Sequence, residues 1–115
     1  SYFIKTRNDD ETLVFVTDTA YLKYQLPECD VLMIECNYVK SKLDENVEQG
    51  KINTSLRNRI VRNHLSLETL VEALRAADLK RLKKIYLLHL SDSNSDEVLI
   101  KKTIQEITGV EVVVC

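Results

Sequence analysis

The stretch SLETLVEALRAADLKRLKKIYLLHLSDSNSDE, residues 66–97, changes its hydrophobic period midway, and that change decides the fold. Leu67, Leu70, Val71, Leu74 and Ala77 recur at helical spacing behind Ser66, which predicts an amphipathic helix over LETLVEALRAADL. KRLKK, at Lys80 to Lys84, reads as a solvated linker without a partner, and IYLLHL follows as a buried strand. The polar run after it turns the chain, with Ser95 suited to cap a further helix. That helix, DEVLIKKTIQEIT, is expected to turn Val98, Leu99, Ile104 and Ile107 inward and to stop at Gly109, a suitable left-handed residue. EVVVC then closes the chain as a strand.

Upstream, YFIKT, a turn at RNDDE and TLVFV read as a hairpin from Tyr2 to Val16, with Asn8, Asp9 and Asp10 supplying the turn. DVLMIEC is a continuous apolar run of the buried-strand type, ending near Glu35. From Val39 to about Arg62 the chain is polar and helix-forming, and Gly50 and Asn53-Thr54-Ser55 break it into two short helices. Strands alternating with helices predict an α/β layered domain with the hairpin added at one side.

The 115 residues suffice for one domain, 1–115, whose chain buries about two-thirds of its unfolded surface. The hydrophobic fraction of 44% and charged fraction of 30% are ordinary for a soluble protein. No apolar run approaches the roughly 20 residues of a membrane span, so no membrane partner is expected. A net charge of -2 gives no global case for nucleic acid, although local clusters can still hold phosphate. Cys29, Cys36 and Cys115 are odd in number and widely spaced, which fits neither a disulfide framework nor a zinc ribbon and points to a reducing cytoplasm.

Three apolar strands end in polar residues: TLVFV runs into Thr17 and Asp18, DVLMI into Glu35 and Asn37, and IYLLHL into His89, Ser91, Asp92 and Asn94. Loops beyond the carboxyl ends of parallel strands carry the chemistry of α/β folds. A carboxylate and an imidazole there suit zinc, or manganese with more oxygen ligands. Each residue also has a plainer reading. Asp18 can be a turn residue, and His89 a satisfied structural histidine beside a helix start. Glu35 is less ordinary, because a carboxylate finishing an apolar run must be paired or reach the surface. Cys36 reads as core. Arg57, Arg59 and Arg62, ahead of His64, match phosphate geometry equally as they match an ordinary helix surface. With only Gly50 and Gly109 there is no glycine-rich phosphate loop, and no serine sits in a nucleophile elbow, which excludes Rossmann nucleotide binding and a serine triad.

In this order, VTDTAY, VLMIECNY, RNHLS and YLLHLSDSN resemble the second half of the metallo-β-lactamase fold, in its phosphodiesterase-type branch of ribonuclease Z-like and related bacterial and phage hydrolases. The likeness covers nearly the whole chain. It implies the C-terminal half of an αββα sandwich, with helices on one face of the sheet. It matches Asp18 in TDT to a metal-bridging aspartate, Glu35 to the glutamate of an H-E-A-T-like signature whose histidine is here Ile34, and His64 to a histidine at a helix start. His89, with Ser91 in H-x-S, matches a metal-ligand histidine.

The family's H-x-H-x-D-H cluster and one further histidine ligand are missing, since the chain has two histidines. Ser1-Tyr2-Phe3 matches the position after that further histidine, so the resemblance implies a C-terminal fragment or separately encoded half. In the complete site, two divalent ions would be bridged by Asp18 and ligated by His89. His64, oriented by Glu35 with support from Asn37, would act on the leaving oxygen. Asn37, Ser91 and the three arginines would contact the phosphodiester substrate, the arginines by inference from this sequence alone. The expected partners are the N-terminal half of the domain, the substrate and further copies of the chain. The chain by itself is expected to hold metal poorly and to be inactive. The alternative is a non-catalytic binding or assembly module on the same scaffold.

Overall fold

In the computed structural model, residues 2–8, 11–17, 26–88 and 96–115 are described, with backbone alone for 2–8 and 17. β1 (Tyr2–Asn8) and β2 (Glu11–Thr17) form an antiparallel hairpin in which Asn8 faces Glu11 and Tyr2 faces Thr17. β3 (Val31–Glu35), β4 (Lys84–Leu88) and β5 (Glu111–Val114) continue the sheet in the order β1-β2-β3-β4-β5, and β2 to β5 run parallel. Three helices, α1 (Lys40–Glu48), α2 (Thr54–Asn63) and α3 (Leu67–Ala76), connect β3 to β4, and α4 (Glu97–Thr108) connects β4 to β5. Over the described residues the chain is therefore an α/β domain with four helices and a five-stranded sheet, four strands of which are parallel.

Both crossovers advance the sheet in the same direction, so the usual right-handed connection lays α3 and α4, the helices that join the core, on one face. Burial follows that arrangement. Val14, Val16, Leu32, Ile34, Ile85, Leu87 and Val112 join Leu70 and Leu74 of α3 and Ile100 and Ile104 of α4 in one core. The alternate positions Leu13, Phe15, Val31, Met33, Tyr86, Leu88 and Val113 are only half-buried. DVLMIEC is apolar on both faces, as strands covered on both sides are, yet the described residues bury only one of them fully.

The helix boundaries follow local chemistry. Asn53 and Ser66 cap α2 and α3, accepting from Leu56 N–H at 2.7 Å and Thr69 N–H at 3.1 Å. α4 ends at Gly109, whose φ of 70° is the left-handed conformation that costs a residue without a Cβ least. Two details of α4 differ from the sequence reading. Its cap is Asp96, which accepts from Leu99 N–H at 3.0 Å, one residue beyond Ser95. Ile100 and Ile104 face the core while Val98 is 77% and Leu99 43% exposed, because the buried stripe starts at Ile100, just after the first two apolar residues, and repeats one turn on at Ile104. Ile107 is half-buried.

The KRLKK segment is also not a free surface. Leu82 is buried in the core, Lys84 opens β4, and Arg81 Nη2 donates to Asp30 Oδ2 at 2.8 Å. Asp30 also accepts the Thr12 N–H at 2.7 Å, and its carbonyl accepts the Lys83 N–H at 2.8 Å. One carboxylate and its backbone thus tie the amino ends of β2, β3 and β4 together. The Thr12 backbone bond, with help from Arg81 and Lys83, holds the Asp30 carboxyl below the ordinary aspartate range.

Candidate functional site

The parallel register brings the carboxyl ends of three strands to one edge of the sheet. Val16 faces Ile34 and Glu35 faces Leu88, so β2, β3 and β4 end side by side at Thr17, Glu35 and Leu88. Beyond β3 the backbone stays extended. Cys36 N–H donates to Leu88 O at 3.1 Å, which prolongs the β3–β4 ladder by one bond. Asn37 N–H then donates to Leu65 O at 3.1 Å, and Leu67 N–H to Tyr38 O at 2.9 Å. These two bonds, with a bridge between Tyr38 and Ser66, dock the α2–α3 connection against the end of β3. Leu65, fully buried, anchors it from below.

His64 ends α2 immediately before that anchor, and the docking sets its ring beside Glu35 and Asn37. Its Nδ1 lies 3.2 Å from Glu35 Oε1 and 2.5 Å from Asn37 Nδ2, and Asn37 Nδ2 also donates to Glu35 Oε1. The side chains of His64 and Glu35 are 38% and 27% exposed, whereas Asn37 is only 3% exposed. A carboxylate, a buried amide and a partly open imidazole therefore form one hydrogen-bonded unit at the edge where α/β folds carry their chemistry. Glu35 meets the requirement that a charge after an apolar run be paired.

No family model, curated protein or solved structure matches the chain.

Asp18, His89 and Ser91 lie outside the described residues. Asp18 and His89 follow in sequence directly after the strand ends Thr17 and Leu88. Among the described residues, no group of three or more His, Cys, Asp or Glu is arranged to hold a metal ion. Glu35 and His64 are turned toward each other and toward Asn37.

Cys36 sits between Glu35 and Asn37 in sequence but belongs to the core. Burial, with the Glu68 and Glu35 carboxylates, pushes its thiol up to about 12, so at neutral pH it is neither a nucleophile nor a thiolate ligand. Cys29 and Cys36 are buried, Cys115 is exposed, and none forms a disulfide.

The three arginines of α2 separate into two kinds. Arg57 Nε pairs with Asp44 Oδ1 at 3.1 Å and fastens α2 to α1. Arg59 and Arg62 are exposed, and among the described residues no ion pair involves either. Between Gln49 and Leu67 the sequence carries Lys51, Arg57, Arg59 and Arg62 and no acid, so this arm leads to His64 with one sign of charge. α2 buries none of its residues fully.

The sequence had already set Asn37 in the site, as support for the Glu35–His64 pair and as a substrate contact. Its spacing of two from Glu35 was the available signal; the part played by Leu65 and Tyr38 in bringing His64 to it had none. No helix among the described residues is long and apolar enough to cross a membrane.

Proposed function

We propose that this chain contributes one half of a metal-dependent phosphodiesterase site of the metallo-β-lactamase type. The observation that carries the reading is the Glu35–Asn37–His64 unit at the carboxyl edge of the parallel sheet, beside the ends of the strands that lead into Asp18 and His89. His64 holds or delivers a proton at the leaving oxygen, and Glu35 with Asn37 orients it. Asp18 and His89 are the residues that would hold divalent metal, zinc before manganese, as bridge and ligand. One carboxylate and one imidazole are too few for two ions, so further ligands come from the partner half. When bound, such ions supply an activated water at neutral pH. Ser91, Arg59 and Arg62 contact the phosphodiester, and Arg57, already paired with Asp44, chiefly fixes α2.

The half-exposed apolar face of the sheet supports the finer fold reading. Phe15, Met33, Tyr86 and Leu88 are what a strand buries against a second layer about 10 Å away, as in a sandwich. The N-terminal half of an αββα sandwich is the layer that fits there. Three thiols without a disulfide suit a reducing, cytoplasmic setting.

The same face favours the second reading, a binding module that has kept the scaffold without catalysis. Metal analysis and a phosphodiester assay separate the two. The isolated chain is expected to hold no stoichiometric metal and to show no turnover. With its complementary half restored, Asp18→Ala and His89→Ala are expected to abolish both metal loading and hydrolysis. His64→Ala should cost roughly 10²–10⁴-fold in kcat and leave the metal in place. Metal loading and hydrolysis that survive all three substitutions would refute the enzyme reading.

A further inference from the structure

We propose that Asn37 is a positioning residue that fixes which ring nitrogen of His64 carries the proton. The amide of Asn37 has two N–H bonds, and both are directed within the unit, one at Glu35 Oε1 and the other at His64 Nδ1, 2.5 Å away. A neutral imidazole has one donor and one acceptor nitrogen. With an N–H aimed at it, Nδ1 is the acceptor, and the proton resides on Nε2, at the far edge of a side chain that is 38% exposed.

The competing arrangement is a direct carboxylate–imidazole pair, in which Nδ1–H donates to Glu35 Oε1 across 3.2 Å. That would set the ring N–H against the amide N–H over 2.5 Å, donor against donor. Turning the amide over removes this clash but creates another. The carbonyl oxygen would then face the Glu35 carboxylate, and the NH₂ group would occupy the buried position where Oδ1 now finds no partner among the described residues. Two buried N–H donors left unpaired are costlier than one unpaired carbonyl. With Glu35 ionised, the orientation found is the one that satisfies the most groups. The orphaned Oδ1 marks what is given up for it.

The unit is rigid enough for this to matter. Asn37 is anchored by its backbone bond to Leu65 O, and Leu67 is anchored to Tyr38 O on the other side of His64. Glu35 therefore acts on His64 chiefly through the amide, and the ring N–H on Nε2 is left pointing away from the pair. The tautomer follows from this geometry alone, while its use as the proton donor to a leaving oxygen rests on the proposed function.

Nitrogen NMR of the chain labelled at histidine tests it directly, since ring-nitrogen shifts distinguish the two tautomers. With two histidines in the sequence, a His89→Gln variant assigns His64. The expected result is the Nε2–H tautomer in the unmodified chain, retained in Glu35→Gln and lost toward Nδ1–H in Asn37→Ala. In the completed enzyme Asn37→Ala should lower kcat by about tenfold or more with little change in KM. An Nδ1–H tautomer in the unmodified chain overturns the inference without any variant having to fold. The Nε2–H tautomer in an enzyme whose hydrolysis is indifferent to His64→Ala would instead refute the proposed function and leave this inference standing.

Discussion

Asp30 is 5% exposed and accepts from Thr12 N–H and Arg81 Nη2–H, so its charge is used where it is buried. Its pKa is depressed in the folded chain, chiefly by the Thr12 bond. A depressed carboxylate contributes stability that is present above its unfolded value and is lost as pH falls through its folded value. Acid should therefore loosen the joint between β2, β3 and β4, beginning below the ordinary aspartate pKa of about 3.9. Asp30→Asn keeps an acceptor for Thr12 but cannot titrate. Urea unfolding measured from pH 7 down to pH 2 is expected to give a variant that is weaker at neutral pH and less sensitive to acid. A wild-type and variant pair with parallel pH profiles would mean that the depressed pKa has another origin. None of this was legible in the sequence, where Asp30 merely opens DVLMIEC and its partner Arg81 lies 51 residues away.

At the scale of elements, helical periodicity foretold α3 and α4, helix-forming composition broken at Gly50 and Asn53-Thr54-Ser55 foretold two short helices before them, and capping chemistry foretold the start of α3 and the end of α4. Ser66, Gly50 and Gly109 act locally, so their effect can be read locally. The inward face of α4 is different. Val98, Leu99, Ile100, Ile104 and Ile107 offer more apolar positions than one stripe can bury, and only packing against the sheet and α3 selects Ile100 and Ile104. Ile104→Ala is expected to destabilise the chain by about 2–5 kcal/mol through the cavity it leaves. Val98→Ala, at a position 77% exposed, should change stability by no more than about 0.5 kcal/mol. Equal losses in denaturant titrations of the two variants would place the helix in the wrong rotation. The KRLKK linker makes a related point: its charges suggested a free surface, and Leu82 and Arg81 instead join the core and the Asp30 joint.

For the whole molecule, the sheet covers one face fully and leaves an apolar face half-open across four parallel strands. Phe15 and Met33 are direct neighbours in register, and Met33 faces Tyr86, so these side chains form a continuous patch. A patch of this kind is a contact surface in a soluble protein. The chain on its own is expected to self-associate in sedimentation at micromolar concentration, and Met33→Lys to shift it toward monomer without unfolding the buried face. A monomer that already sediments cleanly would argue that the face needs no cover.

The sequence by itself determined the order and kind of the elements, the Ser66 and Gly109 caps, and the apolar character of both sheet faces, because these rest on neighbours within a few residues; the hairpin turn expected at Asn8-Asp9-Asp10 runs through residues 9–10, outside the described residues. Only the tertiary structure decided which face is covered, which residues meet Asp30, and that His64 stands against Glu35 and Asn37. Those pairings span 18 to 51 positions in the chain. They depend on parallel register and on the docking of Leu65 and Leu67 beside β3, which no local pattern encodes.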